Sequence, residues 1–430
     1  MTAKNPDFIE SDLLVIGRGM AGMAAALFAA NRGLSTVQVG MTGGLPFASG
    51  LLDLLGVYPL DEKKQWDDPW AGIDLLIQDV PNHPYARLKR EEIQGAFHEV
   101  LSFLEEHGLP YGCQDARNSS VMSPAGTIKH TYCLPKTMWN GVQALREKLP
   151  CLVVNFTGLH DFSARQILAT MQDEWPQLRS ARVPFPGTGH MKDLITGEMT
   201  AQALELSKNQ EKLLRDLQPY LKDVQALGMP AVFGLKRSHK MVSDFGERIG
   251  IPVFEIPTLP ISIPGLRLND TFTRGLLAKG VQSFQQYQVL EVSQTSGDPF
   301  QVSIGRNLSK HKIRTKAILL ASGRFLGGGL QADRQRVHET VFNLPLHQPA
   351  GRNEWHRSDF LDPKGHPINR AGVEINDAFQ PVDRAGSPVY QNLFAAGSIL
   401  AHQDWMRMKC GSGLAIATAY GAVNALLKMN

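Results

Sequence analysis

The stretch Leu13-Leu14-Val15-Ile16-Gly17-Arg18-Gly19-Met20-Ala21-Gly22 restricts the fold of this chain more than any other. A short apolar run with a β-branched half stops at a glycine, and an alanine-rich run of helical propensity from Ala21 to Arg32 follows at once. Gly33 stands at the C-cap position, and Thr36-Val37-Gln38-Val39 supplies the next strand. Strand, glycine turn, helix and strand make a βαβ unit, the context in which G-x-G-x-x-G reads as a dinucleotide fingerprint. Gly17 permits the tight turn, Gly19 lets the backbone approach a phosphate, and Gly22 lets the helix pack close to the strand. The competing reading is a glycine turn that serves packing alone. One piece of the fingerprint is missing: Gly40-Met41-Thr42 occupy the place, about twenty residues on, where a carboxylate takes an adenosine ribose. That weakens the case for NAD or conventionally bound FAD and leaves the case for a phosphate intact.

Two further strand-to-glycine elements lie far downstream. Ala317 to Leu320 runs into Ala321-Ser322-Gly323 with Gly327-Gly328-Gly329 beyond, and Asn392 to Gly397 runs into a loop before Cys410-Gly411-Ser412-Gly413 opens an apolar helix from Leu414 to Leu427. Between them and the first element the pattern changes. Prolines break the chain from about residue 60, Leu152 to Phe156 reads as a strand, and Leu204, Leu213, Leu214, Leu217, Leu221 and Val224 predict one long amphipathic helix over 200–227. Met229 to Leu235 and Ile251 to Ile256 read as buried strands. The expected fold class is α/β: a Rossmann-like FAD/NAD(P)-binding domain, residues 1–60 and 250–430, interrupted by an inserted α+β domain over 61–249 that serves as substrate cap and partner contact.

The 430 residues suffice for a sizeable core, and 44 Lys plus Arg against 41 Asp plus Glu give a net charge of +3 with no long block of either sign. Whole-molecule attraction to nucleic acid is therefore not indicated. The four cysteines, Cys113, Cys133, Cys151 and Cys410, show no metal-ligand spacing, so no zinc or iron-sulfur site is expected, and they fit a reducing compartment best. The first residues lack the basic and apolar regions of an export signal, and no apolar run reaches the ~20 residues of a membrane-spanning helix. A cytoplasmic location is the expectation, with any membrane association peripheral or through a partner.

The three-part layout resembles the flavoprotein oxidoreductases of the FAD/NAD(P)-binding superfamily. Local strings resemble one family within it, the B subunit of anaerobic glycerol-3-phosphate dehydrogenase: Phe47 to Leu55, His83-Pro84-Tyr85, Pro124 to Thr127, Met229 to Leu235, Pro257 to Pro260, Gly265 to Leu268, Leu320 to Gly323, Asn392 to Ser398 and Cys410 to Gly413. They run in family order along nearly the whole chain. The resemblance implies one chain of a complex that oxidises glycerol 3-phosphate to dihydroxyacetone phosphate and passes electrons to the quinone pool. It implies an FAD-bearing A subunit and a membrane-attached iron-sulfur C subunit as partners, and FMN as cofactor, with FAD the alternative. Two rival readings remain: a scaffold chain that keeps the fold without its flavin, and a free-standing FAD oxidoreductase on another substrate.

Candidate cofactor residues are Gly17, Gly19 and Gly22; Ser322 and Gly323; Gly397 and Ser398; Gly411, Ser412 and Gly413 at a helix start whose amides suit an anionic flavin or a phosphate; and Ser49 and Gly50 in a turn, with Asp53 there as flavin neighbour or helix cap. A phosphate substrate calls for a cationic clamp, for which Arg267, Arg324 and Lys129 are the candidates. Proton abstraction from a substrate hydroxyl calls for a base, for which His402, His130 and His83 are the candidates.

Overall fold

The computed structural model describes residues 8–186, 195–295 and 297–429. Residues 1–7, on which the expected absence of an export signal rests, lie outside them. The chain forms two units, one made of residues up to Gly44, Asp53–Ser102 and residues from Phe272 onward, the other of Leu45–Leu52 and Phe103–Thr271.

In the first unit the opening motif folds as its residues demand. Strand β1 (Phe8–Ile16) lies parallel to strand β2 (Thr36–Gly40) on one side and to the long strand Ser309–Leu320 on the other. Leu13, Leu14 and Val15 have no exposed surface, because a parallel strand is covered on both faces. On its edge away from β1 the strand Ser309–Leu320 serves two partners. Its first part pairs antiparallel with Phe300–Arg306, which pairs with Gln288–Ser293, while its last residues pair in parallel with Leu393–Ala395. Strand Gln282–Gln285 pairs in parallel with β2 to complete a seven-stranded sheet. Helix α1 (Met20–Asn31) is buried from Ala21 through Ala29, and small alanines are what let a helix covered on every side approach its neighbours. It packs on the C-terminal helix Gly411–Met429, where Phe28 meets Tyr420 edge-on at 5.1 Å.

The second unit is built on a four-stranded parallel sheet in the order Val253–Ile256, Ala226–Pro230, Cys151–Phe156, Leu178–Val183. Its core is aromatic and aliphatic around Trp175, Phe156, Phe233 and Phe245. The single helix expected over 200–227 is three pieces instead: Gly197–Leu204, Ser207–Leu217 and a 3-10 turn Gln218–Tyr220 that carries Pro219. Proline stops the longer helix, and Ala226 and Leu227 belong to a strand.

The division also falls elsewhere than expected. Residues 61–102 pack with the nucleotide-type sheet: Tyr85 Oη donates to the Leu54 carbonyl at 2.7 Å, and Arg32 of the α1 C-cap pairs with Glu99 at 3.0 Å. Residues 45–52 and 250–271 belong to the second unit, where Ser262 N donates to the Pro46 carbonyl at 3.0 Å. Two of the cysteines depart from the reduced set that the sequence suggests. Cys113 and Cys133 stand opposite each other in the antiparallel pair Tyr111–Cys113 and Cys133–Pro135 and are joined in a disulfide, while Cys151 and Cys410 are free and buried. No described helix is long and apolar enough to cross a membrane.

An ion pair lies buried in the core of the second unit. Arg267 Nη1 and Nη2 grip the Glu255 carboxylate at 2.6 and 2.9 Å, Arg267 Nε donates to the Gly234 carbonyl at 2.9 Å, and Glu255 also accepts from Phe233 N at 2.8 Å. Burial alone would raise the Glu255 pKa, but the guanidinium beside it holds it below the ordinary value. Removing one partner strands the other charge in the core, so Glu255→Ala should cost about 3–5 kcal/mol in urea unfolding followed by tryptophan fluorescence. The double replacement Glu255→Leu with Arg267→Met should recover part of that loss, and a single variant as stable as the parent would show the pair to be dispensable.

Candidate flavin site and its neighbouring histidines

The carboxyl ends of β1, Ser309–Leu320 and Leu393–Ala395 bring most of the expected cofactor residues together. A Cβ at Gly17, whose φ is +132°, would lie 2.1 Å from the Ala321 carbonyl oxygen, and one at Gly22 would lie 2.1 Å from the Gly17 carbonyl oxygen. A Cβ at Gly397 would meet that of Ala21 at 2.6 Å, and one at Gly323 would lie 3.7 Å from Ser398 Oγ. Gly17, Gly22, Ser322, Gly323, Gly397 and Ser398 therefore form one surface around the start of α1. Gly19 differs from them: nothing lies within 4 Å of a Cβ built there, and as N-cap of α1 it offers no side-chain acceptor to the first-turn amides. Open space, uncapped amides and the positive end of a helix dipole suit a phosphate. Ser322 Oγ is buried and makes no hydrogen bond among the described residues, a further polar atom in want of a partner. The residues present fit a flavin phosphate.

What surrounds Gly40 bears on the rest of the cofactor. A Cβ there would lie 3.3 Å from Arg18 Cγ, because the Arg18 side chain runs over the end of β2 instead of into solvent. Arg18 is 4% exposed and donates to Gln38 Oε1, Ser283 Oγ and Thr273 Oγ1, while Gln38 Nε2 donates to the Gly17 carbonyl at 3.2 Å. Burial pulls its pKa down from the usual arginine range. The place where a ribose carboxylate would stand thus holds a glycine beneath an arginine.

The C-terminal helix start is used differently from the expectation. Gly413 N donates to the Asp53 carbonyl at 2.7 Å, and Ser412 Oγ accepts from Asp53 N at 2.6 Å. The Gly413 amide and the Ser412 hydroxyl are thus committed to anchoring the 53–54 segment. The next described helix, Pro69–Asp79, begins too far along the chain for Asp53 to cap it. A Cβ at Gly411 would lie 2.8 Å from Trp405. Ser49 and Gly50 belong to the second unit, where Gly50, at φ +82°, turns against Pro264 and its carbonyl accepts from Tyr111 Oη at 2.7 Å.

The expected phosphate clamps are engaged elsewhere. Arg267 is the buried partner of Glu255, and Arg324 donates to the Ile368 carbonyl at 2.8 Å and to that of Asn369, with burial pulling its pKa down to about 10. Both cations are spent on the protein's own acceptors. Lys129 and His130 lie in the second unit, on strand Ile128–Thr131, paired with Ser119–Met122.

The histidines sort more clearly. His402 adopts the left-handed conformation, φ +63°, with its amide held by the Arg370 carbonyl at 3.0 Å and its Nε2 2.8 Å from Glu374 Oε1. Backbone held in this region by its surroundings is common at functional sites. His347 lies against it, ring centroids 4.1 Å apart. His347 also lines a cleft of about 330 Å³ with Arg357, Lys364, His366 and Arg370, a predominantly basic wall. His83 is wholly buried; its Nδ1 accepts from Tyr85 N at 3.2 Å, and burial, with His402 and Arg370 nearby, pushes its pKa down to about 3. It stays neutral and cannot collect a proton at neutral pH.

Sequence reasoning misses Glu374, His347, Arg370 and Arg18. Arg18 lies inside the fingerprint itself, and Gly40 is the available signal for it. No motif joins the other three: Arg370 and Glu374 flank the short strand Gly372–Val373, and His347 lies on the strand Leu346–His347 paired with it.

The FAD binding domain family matches residues 12–414. Identity is 30% over 435 residues, 97% of this chain and 98% of the relative, with a probable B subunit of anaerobic glycerol-3-phosphate dehydrogenase from Halobacterium salinarum. The chain belongs to this B-subunit family. Further family members are the B subunit of anaerobic glycerol-3-phosphate dehydrogenase from Vibrio vulnificus, 28% identical over 96% of this chain and 95% of its own, and that from Pectobacterium atrosepticum, 26% over 97% and 98%. Among solved structures, 3-ketosteroid delta1-dehydrogenase of Sterolibacterium denitrificans matches with TM-score 0.45 and 12% identity, covering 98% of this chain and 100% of the other. As a member of the B-subunit family the chain is one part of a flavin-type oxidoreductase, and its glycine surface is the flavin-phosphate candidate.

Three outcomes are expected for this family member. Gly19→Asp has room for its side chain and should fold with an unchanged circular dichroism spectrum yet retain no flavin, because the carboxylate repels a phosphate; Gly22→Ala should lower thermal stability through the clash at Gly17. Full flavin content in Gly19→Asp would place the site elsewhere. For His83, the unfolded chain takes up a proton near its ordinary value of 6.5 and the folded chain at about 3, so the unfolded state binds more protons between these values. Stability should therefore fall by a few kcal/mol as pH drops from about 6.5 to about 3. His83→Asn, which keeps an acceptor for the Tyr85 amide, should remove that part of the decline in pH-dependent melting curves.

Proposed function

We propose that this chain is the FMN-bearing part of a quinone-linked complex that oxidises glycerol 3-phosphate to dihydroxyacetone phosphate. The substrate class comes from the names of the B-subunit relatives. The observation that carries the local reading is the His402–Glu374 pair beside the basic cleft. FMN over FAD is supported by Gly40 beneath the buried Arg18, which leaves no carboxylate and little room for an adenosine ribose.

Gly17, Gly19, Gly22, Ser322, Gly323, Gly397 and Ser398 would hold the flavin, which when bound supplies a two-electron acceptor for the hydride lost from the substrate carbon. Arg370, exposed on the cleft wall with Arg357 and Lys364, would hold the substrate phosphate. Glu374 accepts a hydrogen bond from His402 Nε2–H, a tautomer that leaves the lone pair on Nδ1 to take the hydroxyl proton. His83, neutral and buried nearby, adds no second positive charge when His402 is protonated.

Onward transfer falls to another chain. Four cysteines could in principle hold one cluster, but two are joined to each other and the remaining two, Cys151 and Cys410, are buried with thiol pKa values pushed up by burial. An iron-sulfur partner and a quinone acceptor complete the proposal, with the membrane reached through that partner.

The test is chromatography of the cofactor released on denaturation, followed by anaerobic addition of glycerol 3-phosphate to the intact complex. FMN should be released and the flavin absorbance should bleach. His402→Gln should slow bleaching about 10²–10⁴-fold. Arg370→Ala should lower kcat/KM for the phosphate ester by about 10–100-fold, chiefly through KM. Released FAD would overturn the FMN reading, and undiminished bleaching in His402→Gln would overturn the assignment of the base.

A further inference from the structure

We infer that His347, Glu374 and His402 form a binding site for one divalent transition-metal ion of the zinc class. The inference goes beyond the proposed oxidation of glycerol 3-phosphate and does not depend on it.

The three residues come from distant parts of the chain, yet their potential ligand atoms all lie within 4.8 Å of one another. Glu374 Oε1 is 2.8 Å from His402 Nε2 and 3.8 Å from His347 Nδ1. Ligands of a tetrahedral zinc at its usual bond lengths stand roughly 3.3 Å apart, so the two separations bracket that value and small side-chain rotations would equalise them. A hydrogen-bonded pair accounts for Glu374 and His402 alone. It leaves His347 Nδ1 facing the same carboxylate oxygen beyond hydrogen-bond distance, whereas a shared ion would use all three donors.

The backbone beneath them is rigid. His347 closes the strand Leu346–His347, which pairs antiparallel with Gly372–Val373, so that His347 stands opposite Gly372 and Glu374 follows directly. Leu400 bridges to Val373, Ala401 N donates to the Val373 carbonyl at 2.9 Å, and His402 N donates to that of Arg370. Three donors hung on one hydrogen-bonded ribbon have little conformational entropy left to lose on binding.

The donor chemistry selects the ion. Two imidazoles and one carboxylate, with no thiolate, suit zinc and its neighbours in the first transition row and not magnesium or calcium, which take mostly oxygen. Three protein ligands leave a position for water or a substrate oxygen. Side-chain exposures of 43% for His347, 43% for Glu374 and 16% for His402 give an ion a path from solvent. The ion and the Nε2–H bond to Glu374 exclude each other, so the metal-loaded chain is a state distinct from the one in which His402 acts as base.

The test is titration of the full chain, with its flavin and after dialysis against a chelator, with Co²⁺ as a spectroscopic probe and then Zn²⁺, by visible absorption and calorimetry. One Co²⁺ per chain should bind with the d–d bands of a tetrahedral site, and Zn²⁺ should displace it. His347→Ala and His402→Ala should each weaken binding at least about tenfold with an unchanged circular dichroism spectrum. His366→Ala, on the wall of the adjoining cleft, should not. Absence of stoichiometric binding, or an affinity that neither His347→Ala nor His402→Ala alters, overturns the site. Neither readout involves glycerol 3-phosphate, so failure here and failure of the oxidation reading are separate results.

Discussion

The Gly17 peptide is where the first unit is pinned together. Its carbonyl lies so near Gly22 that a Cβ there would sit 2.1 Å from the oxygen, and a Cβ built on Gly17 itself would sit 2.1 Å from the Ala321 carbonyl oxygen. At that point β1 turns into α1, and the end of the strand Ser309–Leu320 stands beside them with its neighbour Leu393–Ala395. No side chain fits between these backbones. Their closeness aims the uncapped amides of α1 into the open space beside Gly19, so the packing that holds the unit together also shapes the candidate anion site.

Arg18 shows how one residue inside a common motif changes what the motif can hold. With Gly40 in place of a carboxylate, the guanidinium folds back over β2 and satisfies its donors on Gln38, Ser283 and Thr273. A buried cation costs much desolvation unless its hydrogen bonds are made, and these three side chains supply them. The glycines of the fingerprint are retained, while the place of its ribose carboxylate holds Gly40 beneath Arg18. Arg267 follows the same logic in the second unit, where Glu255 and the Gly234 carbonyl take its donors. From its sequence string Arg267 has the look of a substrate clamp. Only the tertiary structure shows that its charge is spent inside the core.

The glycine loop, the strand ends and the surface proposed for the cofactor are legible in the sequence because backbone geometry writes itself locally. Gly17, Gly22, Gly323 and Gly397 mark positive φ or close approach, and each constraint is visible within a few residues of sequence. The region 200–227 reads as one long helix because amphipathic spacing carries across a break that Pro219 and the Ala226–Pro230 strand impose. Side-chain chemistry is less legible. His402 stands among the sequence candidates, but Glu374 and His347, which give it its surroundings, are 28 and 55 residues away in sequence.

By itself the sequence determined the βαβ opening, the discontinuous nucleotide-type unit and the family, since these rest on local turns, on periodicity and on strings spread along the whole chain. The tertiary structure alone decided which polar groups are free to act. A hydrogen bond consumes a donor, and whether Gly413 N, Ser412 Oγ, Arg267 or Arg324 has been consumed depends on partners brought up by the fold. Composition and spacing count the charges and hydroxyls a chain carries. Only packing determines which of them the protein has already used to hold itself together, and which remain for something else.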